Sequence, residues 1–236
     1  MKLDQHFMVN EDLCKRIVSY AEIKKNEVVL EIGPGKGALT NYLIKKTKKL
    51  VLVEISFELA SELMSQFKEA KVINKSITKI KELNFDKIIG NLPYSVCESI
   101  INTLLISKFE LAVFTVPNDF MKKGLLNILM PKFFDIETLE EINKDSFDPK
   151  PKIKSKVIRI KHKEMNETEK IIKEIYLQSD KKLDNAFRES YCKLSKLTKK
   201  EAKNKTPKLN FLDKKVYTLN LEEWKEIITE IEDKDK

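Results

Sequence analysis

The sequence is short of the residues that build metal sites and cross-linked folds. Its 236 residues include three cysteines, which are far apart and odd in number, and two histidines, His6 and His162. No Cys-x-x-Cys pair and no Cys/His cluster is present. A structural zinc ion or a disulfide framework is therefore not expected.

The chain also lacks a long apolar run. Asp4, Gln5 and Asn10 stand where a signal peptide would need an apolar stretch. No segment approaches the roughly 20 apolar residues that span a bilayer. We expect a reduced, cytoplasmic protein with no membrane contact and no metal, and nothing in the sequence demands more than a monomer.

Charge is distributed unevenly along the chain. Residues 1–150 hold 22 Lys and Arg against 21 Asp and Glu, a net +1, whereas residues 151–236 hold 23 against 16, a net +7. A neutral first part and a basic second part suggest a polyanionic partner that docks mainly on the second part. A lysine-coated solvated surface would give the same composition.

Short apolar runs alternate with helix-like stretches over the first 116 residues. The runs lack period-two alternation, which is typical of strands covered on both faces of a parallel sheet. The alternation predicts an α/β fold with a doubly wound, Rossmann-like sheet and right-handed crossovers. Predicted strands are 28–32, 50–55, 70–74, 85–90 and 110–116, and predicted helices are 38–48, 57–70 and 95–107.

The second part of the chain has a different pattern. Pro149 and Pro151 precede one more strand-like run at 155–160, and beyond about residue 163 only helical patterns occur. The length suits one large domain with an appendage. We therefore predict an α/β domain over residues 1–163 and a small basic helical domain over 164–236.

Three of the five glycines stand together in EIGPGKG (31–37), directly after the first predicted strand. Glycine permits a tight turn and lets a ligand approach where a Cβ would collide. Glu54 ends the second predicted strand, 21 residues after Gly33, where a carboxylate can accept both hydroxyls of a ribose. The spacing differs from the dinucleotide fingerprint GxGxxG, so an adenosine carrying a sulfonium amino acid fits better than a pyrophosphate. A plain strand-to-helix turn and a solvated strand end remain the alternatives.

The fourth predicted strand runs into GNLPYS (90–95), a combination that packs poorly. The exocyclic amine of adenine or cytosine is a poor nucleophile because its lone pair is delocalised into the ring. The Asn91 side-chain carbonyl and the Leu92 main-chain carbonyl could accept both amine hydrogens, and Pro93 stiffens the turn. Tyr94 offers a ring for stacking, worth about 1–3 kcal/mol, and direct attack on a methyl carbon then needs chiefly positioning. A proline turn with a core tyrosine is the structural alternative.

With both motifs present, the chain resembles the ribosomal RNA adenine N6-dimethyltransferase family, and its archaeal members most. The resemblance covers nearly all of the chain to about residue 190. It implies transfer of methyl groups from S-adenosylmethionine to N6 of two adjacent adenines near the 3′ end of small-subunit (16S) rRNA, during ribosome assembly. The matching segments are DQHFMVNEDL (4–13), EIGPGKGALT, VEI, FDKIIGNLPYS, FELAVF, FDPKPKIKSKVIRI (147–160) and DKKLDNAFRES (180–190).

The resemblance also assigns roles to residues, with the first domain catalytic and the second docking RNA of the immature small subunit. Cofactor contacts are expected from His6, Met8, Gly33, Gly35, Glu54, Ser76 and Asn91. The target-base clamp is expected from Asn91, Leu92, Pro93, Tyr94 and Phe147, with the two rings sandwiching a flipped adenine. The distribution of basic residues, and not the resemblance, suggests the RNA contacts. Lys181, Lys182 and Arg188 lie in the basic second part, and Lys150 and Lys152 open a regularly spaced basic run, although a solvated strand edge explains that run nearly as well.

The chain departs from the family pattern at three places. Ser76 stands where the family has an aspartate that accepts from the cofactor's adenine amine, which predicts binding weaker by about 1–2 kcal/mol. VPNDFMKK (116–123) carries Pro117 in place of a glutamine. The family's basic, glycine-containing loop is missing near Gly124.

Other functions stay open. An assembly factor could bind immature small subunits with weak or no methyl transfer, and Ser76 and the missing loop favour it. A large-subunit rRNA adenine N6-methyltransferase of the antibiotic-resistance type shares the Asn-Leu/Ile-Pro-Tyr turn. Methyltransferases of DNA adenine or protein glutamine usually have a second proline where this chain has Leu92.

Overall fold

The computed structural model describes residues 6–122 and 124–233. The chain divides into two units, which are treated separately below. Unit 1 contains Met1–Phe120 and Phe134–His162, and unit 2 contains Met121–Phe133 and Lys163–Lys236. Across the described residues, no helix combines the length and the apolar character that crossing a bilayer would need.

Unit 1 is built around a mostly parallel sheet. Its strands are β1 (Phe7–Met8), β2 (Val28–Ile32), β3 (Lys49–Glu54), β4 (Lys71–Asn74), β5 (Lys87–Asn91), β6 (Leu111–Pro117), β7 (Phe134–Ile142), β8 (Phe147–Asp148) and β9 (Ser155–His162). Its α-helices are α1 (Glu11–Tyr20), α2 (Thr40–Leu43), α3 (Phe57–Gln66) and α4 (Cys97–Leu104). Short 3-10 helices cover Ile77–Lys79, Tyr94–Val96 and Lys144–Ser146.

The strand order across the sheet is β4-β3-β2-β5-β6-β9-β7. The five strands from β4 to β6 run parallel, while β9 pairs antiparallel with both β6 and β7. Strands β1 and β8 form a separate antiparallel pair. The predicted α/β fold with a doubly wound sheet is thereby confirmed. Because the chain order reverses between β2 and β5, their carboxyl ends border the crevice where such sheets bind ligands.

The apolar runs form strands because both faces of the sheet are covered. Every residue of β6 is buried, including Val113 and Phe114 with no exposed surface. Asn10 caps the N-terminus of helix α1, and its side chain accepts from the Leu13 N–H at 3.0 Å. It buries Leu13 and Ile17, four residues apart, so one apolar face of the helix enters the core.

Several elements of unit 1 differ from the sequence-based expectation. The short strands β1 and β8 were not predicted, and α3 and α4 are shorter than the predicted helices at 57–70 and 95–107. Strand β7 was not predicted, because its sequence FDIETLEEI is polar and the strand lies at the edge of the sheet. Helix α2 covers only Thr40–Leu43 of the predicted 38–48, with turns on both sides. Helix α1 was not predicted.

Unit 2 is helical within the residues described. Its α-helices are α5 (Gly124–Phe133), α6 (Glu167–Leu177), α7 (Leu183–Leu194), α8 (Lys199–Lys205) and α9 (Leu221–Asp233), with a 3-10 helix at Val216–Thr218. Trp224 of α9 is 1% exposed, and its ring meets Tyr176 edge-on at a centroid distance of 5.8 Å. Gly124, near which the family's basic loop is missing, is the first residue of α5. This helix ends at Phe133, immediately before β7.

Candidate active site

The two motifs meet where the chain order reverses. Ile32, the last residue of β2, pairs with Gly90 of β5, so the glycine turn and the GNLPYS segment leave neighbouring strands at the same edge. A Cβ on Gly90 would lie 2.7 Å from the Ile32 carbonyl oxygen. Glycine at this position therefore lets the two strands approach. The sheet brings together two motifs that are 57 residues apart in sequence.

The glycine turn leaves room for a ligand. Gly33 and Gly35 have φ values of 63° and 56°, in the left-handed region that favours glycine. A Cβ on Gly33 would meet no heavy atom within 4 Å, because the backbone there borders open space. The Gly33 N–H donates to the Val53 carbonyl at 2.9 Å, which ties the turn to the end of β3.

Glu54 is held beneath this turn. It is 2% exposed, and its carboxylate accepts from the Gly35 N–H at 3.1 Å and from the Ser56 N–H at 2.9 Å. The two donors reach different oxygens, so the plane of the carboxylate is fixed. Since each ionised carboxylate oxygen accepts about two hydrogen bonds, each retains acceptor capacity for a ligand hydroxyl.

Glu31 is a buried acid that the sequence-based analysis did not single out. It is 1% exposed and accepts from the Thr40 hydroxyl at 2.6 Å. Burial raises the pKa of Glu31 to about 8, the Thr40 hydrogen bond opposes this, and the nearby Glu54 charge adds to it. A single acid inside the apolar strand VVLEI was the signal that could have drawn attention to it.

Asn91 is oriented by the N-terminal segment. Its side-chain NH2 donates to the His6 carbonyl at 2.8 Å. Because a carbonyl can only accept, the amide nitrogen faces His6 and Oδ1 is the opposite end of the amide. The His6 ring Nδ1 in turn donates to the Pro149 carbonyl at 2.7 Å. These bonds place an oriented acceptor at the end of β5.

The other predicted clamp residues surround Asn91 in different ways. The Leu92 N–H donates to the Thr115 carbonyl at 3.1 Å, and the Leu92 side chain is buried. Pro93 has φ −56° and ψ 133°, the extended turn expected of it. Tyr94 opens a 3-10 helix, but its side chain lies outside what the structure describes. Phe147 is 4% exposed and pairs with Met8 between β8 and β1.

A single cavity of about 220 Å³ joins these residues. From the predicted cofactor set, it is lined by His6, Met8, Gly33, Gly35, Glu54, Ser76 and Asn91. From the predicted clamp, it is lined by Asn91, Leu92, Pro93 and Phe147. Glu31, Ile55 and Ile77 line it as well.

The residues present suit an adenosine-type cofactor. The open side of Gly33 supplies a surface that a Cβ would fill, and Glu54 retains acceptors for hydroxyls. Ile55 and Ile77 add apolar surface to the lining, while Glu31 and Glu54 supply buried carboxyl groups. Ser76 stands where the family has an aspartate, and its hydroxyl lies 2.8 Å from the Thr78 hydroxyl. A neutral group therefore lines the cavity at this position.

Comparison with known proteins identifies the family. The family model described as ribosomal RNA adenine dimethylase matches residues 1–232. The chain belongs to the ribosomal RNA adenine dimethylase family. Membership implies that the methyl donor is S-adenosylmethionine.

Curated relatives carry consistent names. The "probable ribosomal RNA small subunit methyltransferase A" of Thermococcus sibiricus is 30% identical to this chain, over 95% of this chain and 89% of its own length. The protein of the same name from Pyrococcus abyssi is 29% identical, over 96% and 89%. The "ribosomal RNA small subunit methyltransferase A" of Malacoplasma penetrans is 36% identical, over 69% and 65%.

Solved structures share the fold of this dimethylase family member. A dimethyladenosine transferase from Plasmodium falciparum superposes with a TM-score of 0.66 at 23% identity, covering 98% of both chains. The 23S rRNA methyltransferase ErmE superposes with a TM-score of 0.62 at 18% identity, covering 96% of this chain and 99% of its own. The Rossmann-like methyltransferase fold is thus confirmed.

None of the cations predicted to contact RNA lines the cavity, and several are paired with acids. Lys150 is 2.5 Å from Asp145. The exposed Lys152 accepts at its main-chain carbonyl from the Lys144 ammonium group. These residues belong to unit 1 of the dimethylase.

The remaining three belong to unit 2. Lys181 pairs with Glu189, and Arg188 lies 2.5 Å from Asp184. Lys182 is exposed at the N-terminal boundary of α7. The partners of Lys181 and Arg188 are eight and four residues away in sequence. The contribution of all three cations to RNA binding in this dimethylase stays a prediction.

Proposed function

We propose that the chain transfers methyl groups from S-adenosylmethionine to N6 of two adjacent adenines near the 3′ end of small-subunit rRNA. The observation that carries the proposal is the oriented Asn91 amide, which borders the same cavity as the glycine turn and Glu54. Family membership supports the reaction, and the names of the relatives support the small-subunit substrate. Neither large-subunit methylation nor methylation of DNA or protein has comparable support.

In this proposal the cavity holds the cofactor through the glycine turn and the buried carboxyl groups. Bound S-adenosylmethionine supplies an electrophilic methyl group on a sulfonium. Gly33 and Gly35 let it approach the backbone, and Glu54 accepts from the ribose hydroxyls through the lone pairs that its two N–H donors leave. His6, Met8 and Ser76 complete the lining.

The chain activates the target amine by accepting hydrogen bonds from its two N–H groups. Asn91 Oδ1 accepts one, and the main-chain carbonyl of Leu92, held beside Pro93, accepts the other. Both bonds pull electron density from the N–H groups towards N6, so that its lone pair is less delocalised into the ring. Because Asn91 is anchored through His6, the acceptor is already aimed before substrate arrives, which lowers the cost of reaching the reactive geometry.

Tyr94 and Phe147 are proposed to hold the adenine between two rings after it leaves its stack. The cavity is bordered by Phe147, and the chain at Tyr94 forms the 3-10 helix that follows the Pro93 turn. Residues 1–163 would then form the catalytic domain, with residues 164–236 docking the RNA through basic side chains. Lys150, Lys152, Lys181, Lys182 and Arg188 are the contacts proposed for that docking.

Incubation of the purified protein with labelled S-adenosylmethionine and immature small subunits tests the proposal. We expect methyl incorporation into the rRNA, and at least a hundredfold loss with Asn91→Ala, because one acceptor of the amine is removed. Asn84→Ala is a suitable control, since the exposed Asn84 side chain bonds Glu82 and the Lys108 N–H, and none of these three residues lines the cavity. Stable docking without incorporation would instead identify an assembly factor.

A further inference from the structure

Five lysines of unit 2 stand in one short, exposed segment. Residues 196–208 contain six lysines and a single acid, Glu201. The five exposed ones are Lys196, Lys199, Lys200, Lys203 and Lys208. Within residues 6–122 and 124–233, none of these five forms an ion pair. The segment therefore presents uncompensated positive charge.

The one acid in the segment is committed to the backbone. Glu201 forms a capping box with Thr198: its carboxylate accepts from the Thr198 N–H at 2.8 Å and from the Thr198 hydroxyl at 2.6 Å. These bonds lower the pKa of Glu201, so it stays ionised, but its charge is directed to the start of α8. The lysines next to it keep their charges unpaired.

Several other cations of unit 2 are paired with acids. Lys193, just before this segment, lies 2.8 Å from a Glu174 carboxylate oxygen. Arg188 pairs with Asp184, so a phosphate that approached this arginine would also approach a carboxylate. Repulsion from that carboxylate offsets part of the attraction. Among the described residues, no carboxylate lies within 4 Å of the ammonium groups of the five lysines, and the nearest acid in sequence, Glu201, is bonded to Thr198.

We propose that Lys196, Lys199, Lys200, Lys203 and Lys208 form the main surface of unit 2 that contacts RNA phosphates. The inference rests on the proposed RNA substrate and adds the place where its backbone docks. Lysine is a flexible point charge that suits phosphate contacts without reading sequence. The α8 lysine surface, as we call these five residues, would therefore raise affinity for the RNA and leave the chemical step unchanged.

The test is the salt dependence of binding to an RNA of the small-subunit 3′ end, measured with the full-length chain. The variant carries Lys199→Gln, Lys200→Gln and Lys203→Gln, since glutamine is neutral and has a helix propensity similar to that of lysine. Each phosphate contact contributes about −0.7 to −0.9 to the slope of log K against log salt concentration. We expect the triple variant to flatten the slope by about 2–3.

A matched control removes the same charge from paired lysines of unit 2. Its substitutions are Lys170→Gln, Lys214→Gln and Lys225→Gln, and each of these lysines lies 2.5–3.0 Å from a glutamate and is about half exposed. The control should change the slope by less than one unit. Equal flattening in both variants would show that net charge, and not the α8 lysine surface, determines binding.

Methyl transfer at saturating RNA separates this inference from the proposed function. The triple variant should retain kcat within about twofold and show a raised KM for RNA. An unchanged slope in an active triple variant overturns the inference and leaves the proposed function intact. A flattened slope in a protein without methyl transfer overturns the proposed function alone. Failure of the wild-type chain to bind this RNA would also overturn the inference, since the lysines would then make no contact with its phosphates.

Discussion

Replacing Glu31 by glutamine should change how the stability of the protein depends on pH. Glu31 is 1% exposed, and burial raises its pKa from the ordinary 4.5 to about 8. Between these pH values the unfolded chain has lost this proton and the folded chain retains it. Each unit of rising pH therefore lowers the free energy of unfolding by about 1.4 kcal/mol. Below pH 4.5 both states hold the proton, so the burial of Glu31 costs no stability through ionisation there.

The magnitude follows from the two pKa values. At pH 5 the wild-type penalty is about 1 kcal/mol, at pH 7 about 3 kcal/mol, and above pH 8 it levels off near 5 kcal/mol. The Glu31→Gln side chain does not titrate and can still accept from the Thr40 hydroxyl, so it escapes the penalty. Any packing difference between the two side chains adds an offset that is independent of pH.

Urea unfolding of both proteins without added cofactor, at a series of pH values from 5 to 8, measures this difference directly. The free energy of unfolding of Glu31→Gln minus that of wild type should rise by about 2–3 kcal/mol between pH 5 and pH 7. Titration of the groups that do not interact with Glu31 cancels in the difference. A constant difference across that range would refute the reasoning, because it would mean that Glu31 titrates normally in the folded protein.

Four further substitutions test other parts of the account. Gly33→Ala should lower cofactor affinity at least tenfold in calorimetric titration, because its Cβ would occupy the open side of the turn. The left-handed φ at this position adds about 1–2 kcal/mol of backbone strain. By contrast, Gly37→Ala should mainly lower the melting temperature, since its Cβ would lie 2.7 Å from the Phe67 ring. Ser76→Asp should strengthen cofactor binding by about 1–2 kcal/mol in the same titration, and no gain would mean that another group already accepts from the adenine amine. Trp224→Ala should lower the free energy of unfolding by about 3–5 kcal/mol in urea, because a buried ring of the unit 2 core is removed; a loss below 1 kcal/mol would contradict that packing.

The parallel strands could be predicted because a strand buried on both faces has a continuous run of apolar residues. The predicted strand at 28–32 coincides with β2, and those at 85–90 and 110–116 fall within four residues of β5 and β6 at either end. Strand β7 has no such apolar run. It lies at the sheet edge, and only its terminal residues Phe134 and Ile142 are buried. Its pairing with β9 depends on contacts that its own sequence does not show.

The site shows the same division between local and distant contacts. The positions of Gly33, Glu54 and Asn91 at strand ends followed from the alternation of strands and helices. The bond from Asn91 to the His6 carbonyl could not be predicted, since it joins residues 85 apart through the folded N-terminal segment. The raised pKa of Glu31 depends likewise on burial, which a single acid in a strand suggests but does not establish.

Charge pairing was the property least accessible from sequence. Lys181 and Arg188 were chosen because they lie in a basic region, yet each has an acid within hydrogen-bonding reach. Helical spacing could have suggested the pair of Arg188 with Asp184, four residues apart. The unpaired character of the α8 lysines emerges only when the use of Glu201 in a capping box is known.

Mass spectrometry of the 3′ end of small-subunit rRNA, from cells with and without this gene, tests the central claim most directly. The account predicts two adjacent N6-methylated adenines in cells that carry the gene. It predicts unmodified adenines at both positions when the gene is deleted, and again when it is replaced by a version encoding Asn91→Ala. Full methylation of both adenines in the deletion strain would contradict the account.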